Sequence, residues 1–209
     1  MAASVARGGM RVLLGVAIIA ALALSSTAKA GLIGTGSASY CDPTASQNFL
    51  RWGDSSYYAS LLNGDFEGYS GWTLSGGARV VSGNEPYYLS GNTGDHNSLL
   101  LPAGSSAYSG TVCFALGDWH LRLMMKRLSA TGGLHVQVIV PGLLGILTVL
   151  DGGTVSGTSA WAPSPRLELL LSNVISLVGT KAVAFRFTPV GVGASYQIDD
   201  VYLDPWKCT

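Results

Sequence analysis

Two carboxylates stand side by side near the end of this 209-residue chain, in Tyr196-Gln197-Ile198-Asp199-Asp200-Val201-Tyr202-Leu203. In a regular strand, Asp199, Val201 and Leu203 share one face, and Ile198, Asp200 and Tyr202 the other. Whichever face is core, it carries an aspartate. A buried carboxylate must be hydrogen-bonded, paired with a cation or bound to a metal, because its desolvation is costly. A second acidic motif, Asn63-Gly64-Asp65-Phe66-Glu67 followed by Gly71-Trp72, lies far upstream. These are the residues that the fold has to accommodate.

Catalysis needs a nucleophile with a base and an orienting group, or a metal constellation. The chain has no Gly-x-Ser-x-Gly elbow and no His-Glu-x-x-His motif. His96, His120 and His135 are isolated, and none has a cysteine or second histidine at ligand spacing. Asp95-His96 is the one adjacent pair, and adjacency does not aim two side chains at one substrate atom. The reading is of a chain that acts without catalysis.

The elements that must position these residues follow from patterning. Arg7 and Arg11 precede an apolar run from Val12 to Leu24 and the small residues around Ala28-Lys29-Ala30, the form of a secretory signal peptide over residues 1–30. The run is shorter than the roughly 20 residues of a membrane span, so no span is expected once the signal is cleaved. Removing this segment leaves nine basic against twelve acidic residues, a net charge of about −3 that argues against a nucleic-acid partner. Three cysteines in a secreted chain cannot all pair within one monomer. Cys41 with Cys113 is the preferred bridge, leaving Cys208 for a dimer; Cys41 with Cys208 is the alternative, since chain ends often lie close together.

Residues 31–60 lack a sustained period and read as an extended N-terminal arm, with Phe49, Trp52, Tyr57 and Tyr58 to pack against a domain spanning 61–207. From Leu61 onward, short alternating stretches are separated by Gly-rich and Asn-rich turns, which predicts an all-β sandwich or barrel of about eight strands. The clearest strands are 78–81, 98–101, 111–116, 120–127, 134–140, 146–150, 182–187 and 197–203. One stretch competes: Leu167, Leu170, Leu171, Val174, Ile175 and Val178 follow Pro165 at helical spacing and predict a short helix near 165–178.

The opening Asn63-Gly64-Asp65-Phe66-Glu67 with Gly71-Trp72, and the closing Ile198-Asp199-Asp200-Val201-Tyr202-Leu203, resemble the galactose-binding-like jelly-roll domains, which include many carbohydrate-binding modules. The chain is also similar to small secreted actinobacterial proteins through Gly71-Trp72-Thr73-Leu74-Ser75-Gly76-Gly77 and Ser82-Gly83-Asn84-Glu85-Pro86, a likeness that brings no activity with it. The first resemblance implies a jelly-roll β-sandwich with a structural Ca2+ held by Glu67 with Asp199 or Asp200. It also implies that exposed aromatics stack on sugar rings. The segment from Gly83 to Asn97 is the densest mixture of aromatic and polar groups, which nominates Asn84, Glu85, Tyr87, Tyr88 and Asp95 for ligand contact, with Trp119, Tyr108 and Trp161 as further aromatics. Trp72 matches the family's buried tryptophan. The expectation is therefore a secreted, non-catalytic binder of carbohydrate or cell-wall glycan. The alternative is a structural or protein-interaction module of the cell envelope with no sugar site.

Overall fold

The computed structural model of the chain describes residues 44–68, 70–114, 120–141, 147–169 and 181–204. The expected signal peptide, Cys41, Trp119 and Cys208 lie outside these residues. Thirteen strands occur among them, where about eight were expected: β1 (Ala59–Ser60), β2 (Trp72–Ser75), β3 (Arg79–Ser82), β4 (Asn97–Leu101), β5 (Ser106–Ser109), β6 (Val112–Phe114), β7 (His120–Arg127), β8 (Gly133–Pro141), β9 (Leu147–Val155), β10 (Ala162–Pro163), β11 (Leu167–Glu168), β12 (Lys181–Val190) and β13 (Tyr196–Leu203). One sheet runs β10-β7-β13-β4-β3, with β1 beside β13 and β11 beside β7. The other runs β2-β5-β12-β8-β9, with β6 beside β12. Along the described strands the chain switches sheets between β1 and β2, β2 and β3, β4 and β5, β6 and β7, β7 and β8, β9 and β10, β11 and β12, and β12 and β13, so the sandwich is a jelly roll.

Period-two patterning decides which side of each strand faces inward. From the first sheet, Leu99, Leu101, Leu121, Leu123, Met125, Tyr196 and Ile198 meet Ala107, Val136, Val138, Val183, Phe185 and Phe187 of the second in one core. The expected helix is corrected over its first turn. Leu167 pairs with Leu121 and Glu168 with His120 as β11, and Leu167 and Leu169 are buried on either side of exposed Glu168. A period of two won because β7 offers a free edge there; residues 170–178 of the expected helix lie outside the described residues.

The closing strand departs from plain alternation. Its register against β7 shifts between Asp199 and Tyr202, and Asp200 takes a left-handed backbone with φ of 49°, which aspartate tolerates better than most residues. Asp200 is thus the extra residue of a β-bulge. The bulge lets Ile198, Val201 and Leu203 all enter the core, while Asp199 lies opposite Met124 on the outer face.

That outer face of the seven-stranded sheet is covered. Phe49 and Tyr58 from the N-terminal segment pack with Leu89, Met124 and Tyr202 into a second, smaller core. Phe49 meets Tyr58 and Tyr202 edge-on, at 5.0 Å and 5.8 Å between ring centroids. Asp54 fastens the segment down. Its carboxylate accepts hydrogen bonds from Arg122 and Arg166, from the Tyr58 hydroxyl at 2.7 Å and from the Ser56 amide at 3.1 Å. Burial works to raise the Asp54 pKa, but these donors together hold it well below the usual carboxylate range.

Candidate functional site

The outer face of the six-stranded sheet carries a continuous row of polar side chains. Antiparallel register sets Thr73 opposite Tyr108, Tyr108 opposite Arg186, Arg186 opposite Gln137 and Gln137 opposite Asp151. Each points outward because its neighbours along the strand, such as Ala107, Phe185, Phe187, Val136 and Val138, fill the core. The row crosses five strands, about 19 Å at the usual strand spacing of about 4.8 Å. At its centre the Arg186 guanidinium lies 5.2 Å from the Tyr108 ring centroid and donates from Nη1 to Gln137 Oε1 at 3.4 Å. At one end His135 Nε2 lies 2.9 Å from Asp151 Oδ1, which also accepts the Gly153 amide at 2.8 Å. Those two contacts hold the Asp151 carboxyl below its ordinary pKa, the amide foremost.

A bulge shapes this end of the row. The pairing of β8 with β9 shifts between Val136 and Gln137, leaving Gly152 as the extra residue. A Cβ there would come within 2.9 Å of the Val136 carbonyl oxygen, so only glycine fits. The next row along the face changes character, with Ala184 opposite Ile139 and Ile139 opposite Val149. Ala184 and Ile139 are buried and Val149 is exposed, so beside the polar strip the face is apolar and largely covered.

The acidic residues nominated from the sequence lie on the opposite side of the molecule. Glu85, Asp95, Asp199 and Asp200 are at most 2% exposed. Glu85 accepts the amides of Tyr87 at 2.5 Å and Leu89 at 2.6 Å, which folds the loop over its own carboxylate. Asp199 accepts the Glu85 amide at 3.3 Å and the Asp200 amide at 2.9 Å. Asp95 accepts the Ser90 hydroxyl. Asp95 Oδ1 and Asp200 Oδ2 have no partner. Burial, then the Asp200 charge, pushes Asp199 up to about 9, against two amide bonds that lower it. Burial, then Glu85, pushes Asp200 up to about 8. Burial likewise raises Asp95. Burial and the neighbouring carboxylates thus favour the protonated form of both Asp199 and Asp200.

The three residues nominated for Ca2+ are not brought together. The Glu67 carboxylate is taken up by the amides of His96 and Asn97, each at 2.6 Å, and by the Asn97 side chain at 2.9 Å. It borders a separate cleft of about 380 Å3 lined by Phe66, Trp72, Leu74, Val80, Asn63 and Asn97. Among the described residues no three His, Cys, Asp or Glu side chains converge as a metal requires. The buried carboxylates with their two orphan oxygens do supply the hard donors that calcium takes.

The nominated ligand loop is equally occupied. Glu85 and Asp95 are buried, and Asn84 is half-buried. Tyr87 stacks with Trp52 at 5.1 Å between centroids, and the Arg51 guanidinium lies 4.5 Å from the Tyr87 centroid. Tyr88 is the exposed member, at 41%. Trp161 packs against the second core. Trp72, half-buried, donates its indole N–H to the Asn63 carbonyl at 2.9 Å and stacks on Phe66 and Phe187. The opening motif is thus a stapled turn under the core. Cys113 lies in β6; Cys41, its candidate partner, and Cys208 fall outside the described residues.

His120 is held from both sides, Nδ1 by Asp204 at 2.9 Å and Nε2 by Glu168 at 3.2 Å. Neither ring nitrogen faces a nucleophile. His96 is exposed in a turn. Sequence reasoning singled out Tyr108 but missed Arg186, Gln137 and Asp151 as its companions. The available signal was their placement on outward positions of three alternating strands.

No protein-family model matches the sequence, and no curated protein matches it. In fold the chain is similar to the CBM22-1 xylan-binding domain of Paenibacillus barcinonensis Xyn10C, at 16% identity and a TM-score of 0.45, with 69% of this chain and 93% of that one covered. It is similar to the family 11 carbohydrate-binding module of the cellulosomal cellulase Lic26A-Cel5E of Clostridium thermocellum, at 13% identity and a TM-score of 0.39, with 70% and 93% covered. A third likeness is to TmCBM61 in complex with β-1,4-galactotriose, at 18% identity and a TM-score of 0.38, with 69% and 97% covered. At these identities the likeness is one of fold.

Proposed function

We propose that the protein is a secreted, non-catalytic module that binds an extended glycan along the outer face of its six-stranded sheet. The reading is carried by the unbroken row Thr73, Tyr108, Arg186, Gln137 and Asp151. An aromatic ring to lie against a sugar face, flanked by fixed amide, guanidinium and carboxylate groups for its hydroxyls, is the chemistry such recognition needs. A row of about 19 Å engages an oligomer, so affinity is expected to rise with chain length until the row is covered. A structural calcium ion held by the Asp199 and Asp200 carboxylates together with backbone carbonyl oxygens belongs to the same proposal, as does a Cys41–Cys113 bridge.

The test is titration calorimetry against a panel of soluble polysaccharides with Tyr108→Ala and Gln137→Ala. Each is expected to weaken binding about tenfold, or about 1.4 kcal/mol, with an unchanged melting temperature. Binding that survives both substitutions would place the site elsewhere. The exposed Leu147 and Val149 of edge strand β9 favour the second reading, a protein partner of the cell envelope. Under that reading Val149→Asp abolishes partner capture while no glycan binds.

A further inference from the structure

We infer that the glycan is acidic, carrying a carboxylate or a sulfate ester that Arg186 receives; this rests on the glycan reading of the same face. Arg186 stands at the centre of the row, and among the described residues it takes part in no ion pair. The carboxylate of its own row, Asp151, is committed to His135 and the Gly153 amide. The guanidinium is nevertheless held in place, lying over Tyr108 and making one long hydrogen bond to Gln137. Its Nε has no hydrogen-bond partner, and neither has Thr188 Oγ1, two residues along the same face of β12. An unmet donor shielded from water costs free energy. Those two atoms are shielded within the face, but the guanidinium they help to hold carries a charge that no carboxylate of this chain meets among the described residues, and such a fixed cation is a receptor for an anionic group, bound through charge-assisted hydrogen bonds. The formal net charge is zero for the whole chain and about −3 without residues 1–30, so no general attraction for polyanions competes with this local one.

The experiment compares binding of the full chain to polygalacturonate, to its carboxyl-reduced neutral counterpart, to a sulfated galactan and to neutral xylan. Polygalacturonate or the sulfated galactan is expected to bind at least tenfold more tightly than the neutral polymers, and which of the two does so identifies the anion. Arg186→Gln removes that preference. Arg186→Lys, which keeps the charge and loses the fork, retains only part of it, and serves where the glutamine variant does not fold. Equal binding of acidic and neutral polymers, or a preference that survives Arg186→Gln, overturns the acidic assignment and leaves glycan binding standing. Failure of every polymer to bind overturns both.

Discussion

Asp200 carries the largest unresolved cost at the level of single residues. Its carboxyl is 1% exposed, one oxygen has no partner, and the Tyr202 hydroxyl stands 3.5 Å from the other. A carboxyl raised from its ordinary 3.8 binds its proton more tightly in the folded than in the unfolded state. Its stabilising contribution is therefore full below about 3.8 and is lost as pH rises through about 8 for Asp200 and about 9 for Asp199. In chelator, the melting temperature is expected to fall between pH 5 and pH 9, and Asp200→Asn to flatten that fall by several degrees at pH 9. A melting temperature indifferent to pH in the parent protein would refute the assignment. The sequence already required that Asp199 or Asp200 be accommodated in a buried place. It did not reveal that both would be, because strict alternation put them on opposite faces and a bulge is decided by the neighbouring strands.

Among elements, the segment 44–58 owes its position to one carboxylate. A buried charge stripped of its partners costs about 3–5 kcal/mol, so the double substitution Arg122→Ala with Arg166→Ala, which leaves Asp54 without a cation beneath Phe49 and Tyr58, is expected to release the segment. Limited proteolysis between residues 44 and 58, with the sandwich itself intact, would register this. Resistance equal to that of the parent would show that the aromatic cluster suffices alone. Acid should act in the same direction. Asp54 is held below its ordinary value, so its contribution is present above about pH 4 and lost as pH falls below it. The arm was legible as aromatic and non-periodic, whereas its clamp was not, since Arg122 and Arg166 lie 68 and 112 residues from Asp54. Strand β2 escaped notice because Trp72–Ser75 is too short to display a period, and β11 because leucines at mixed spacing fit a helix as well as a strand.

For the whole molecule, the two sets of carboxylates oppose one another. The Asp54 clamp weakens in acid, and the Asp199–Asp200 cluster loses its contribution steadily as pH rises from about 4 toward about 8, leaving greatest stability near pH 4 and a narrow window around it. A bound divalent cation would hold the cluster ionised and widen that window. At pH 8, calcium is expected to raise the melting temperature by several degrees over chelator, an effect that Asp199→Asn abolishes and Glu67→Gln leaves in place. No difference between calcium and chelator would leave protons as the only neutralising agent. The jelly roll was legible because turn chemistry recurs between alternating stretches. The platform was not, because Arg186 and Gln137 are 49 residues apart and meet only through register.

Among the described residues, the two outer faces of the sandwich are treated differently. The chain enters the described fold along the outer face of the seven-stranded sheet, which its own residues 44–58 have closed, and the row from Thr73 to Asp151 looks out from the reverse. A substitution on the first of these faces therefore disturbs the chain's own packing, whereas one on the second meets only what comes to it from outside.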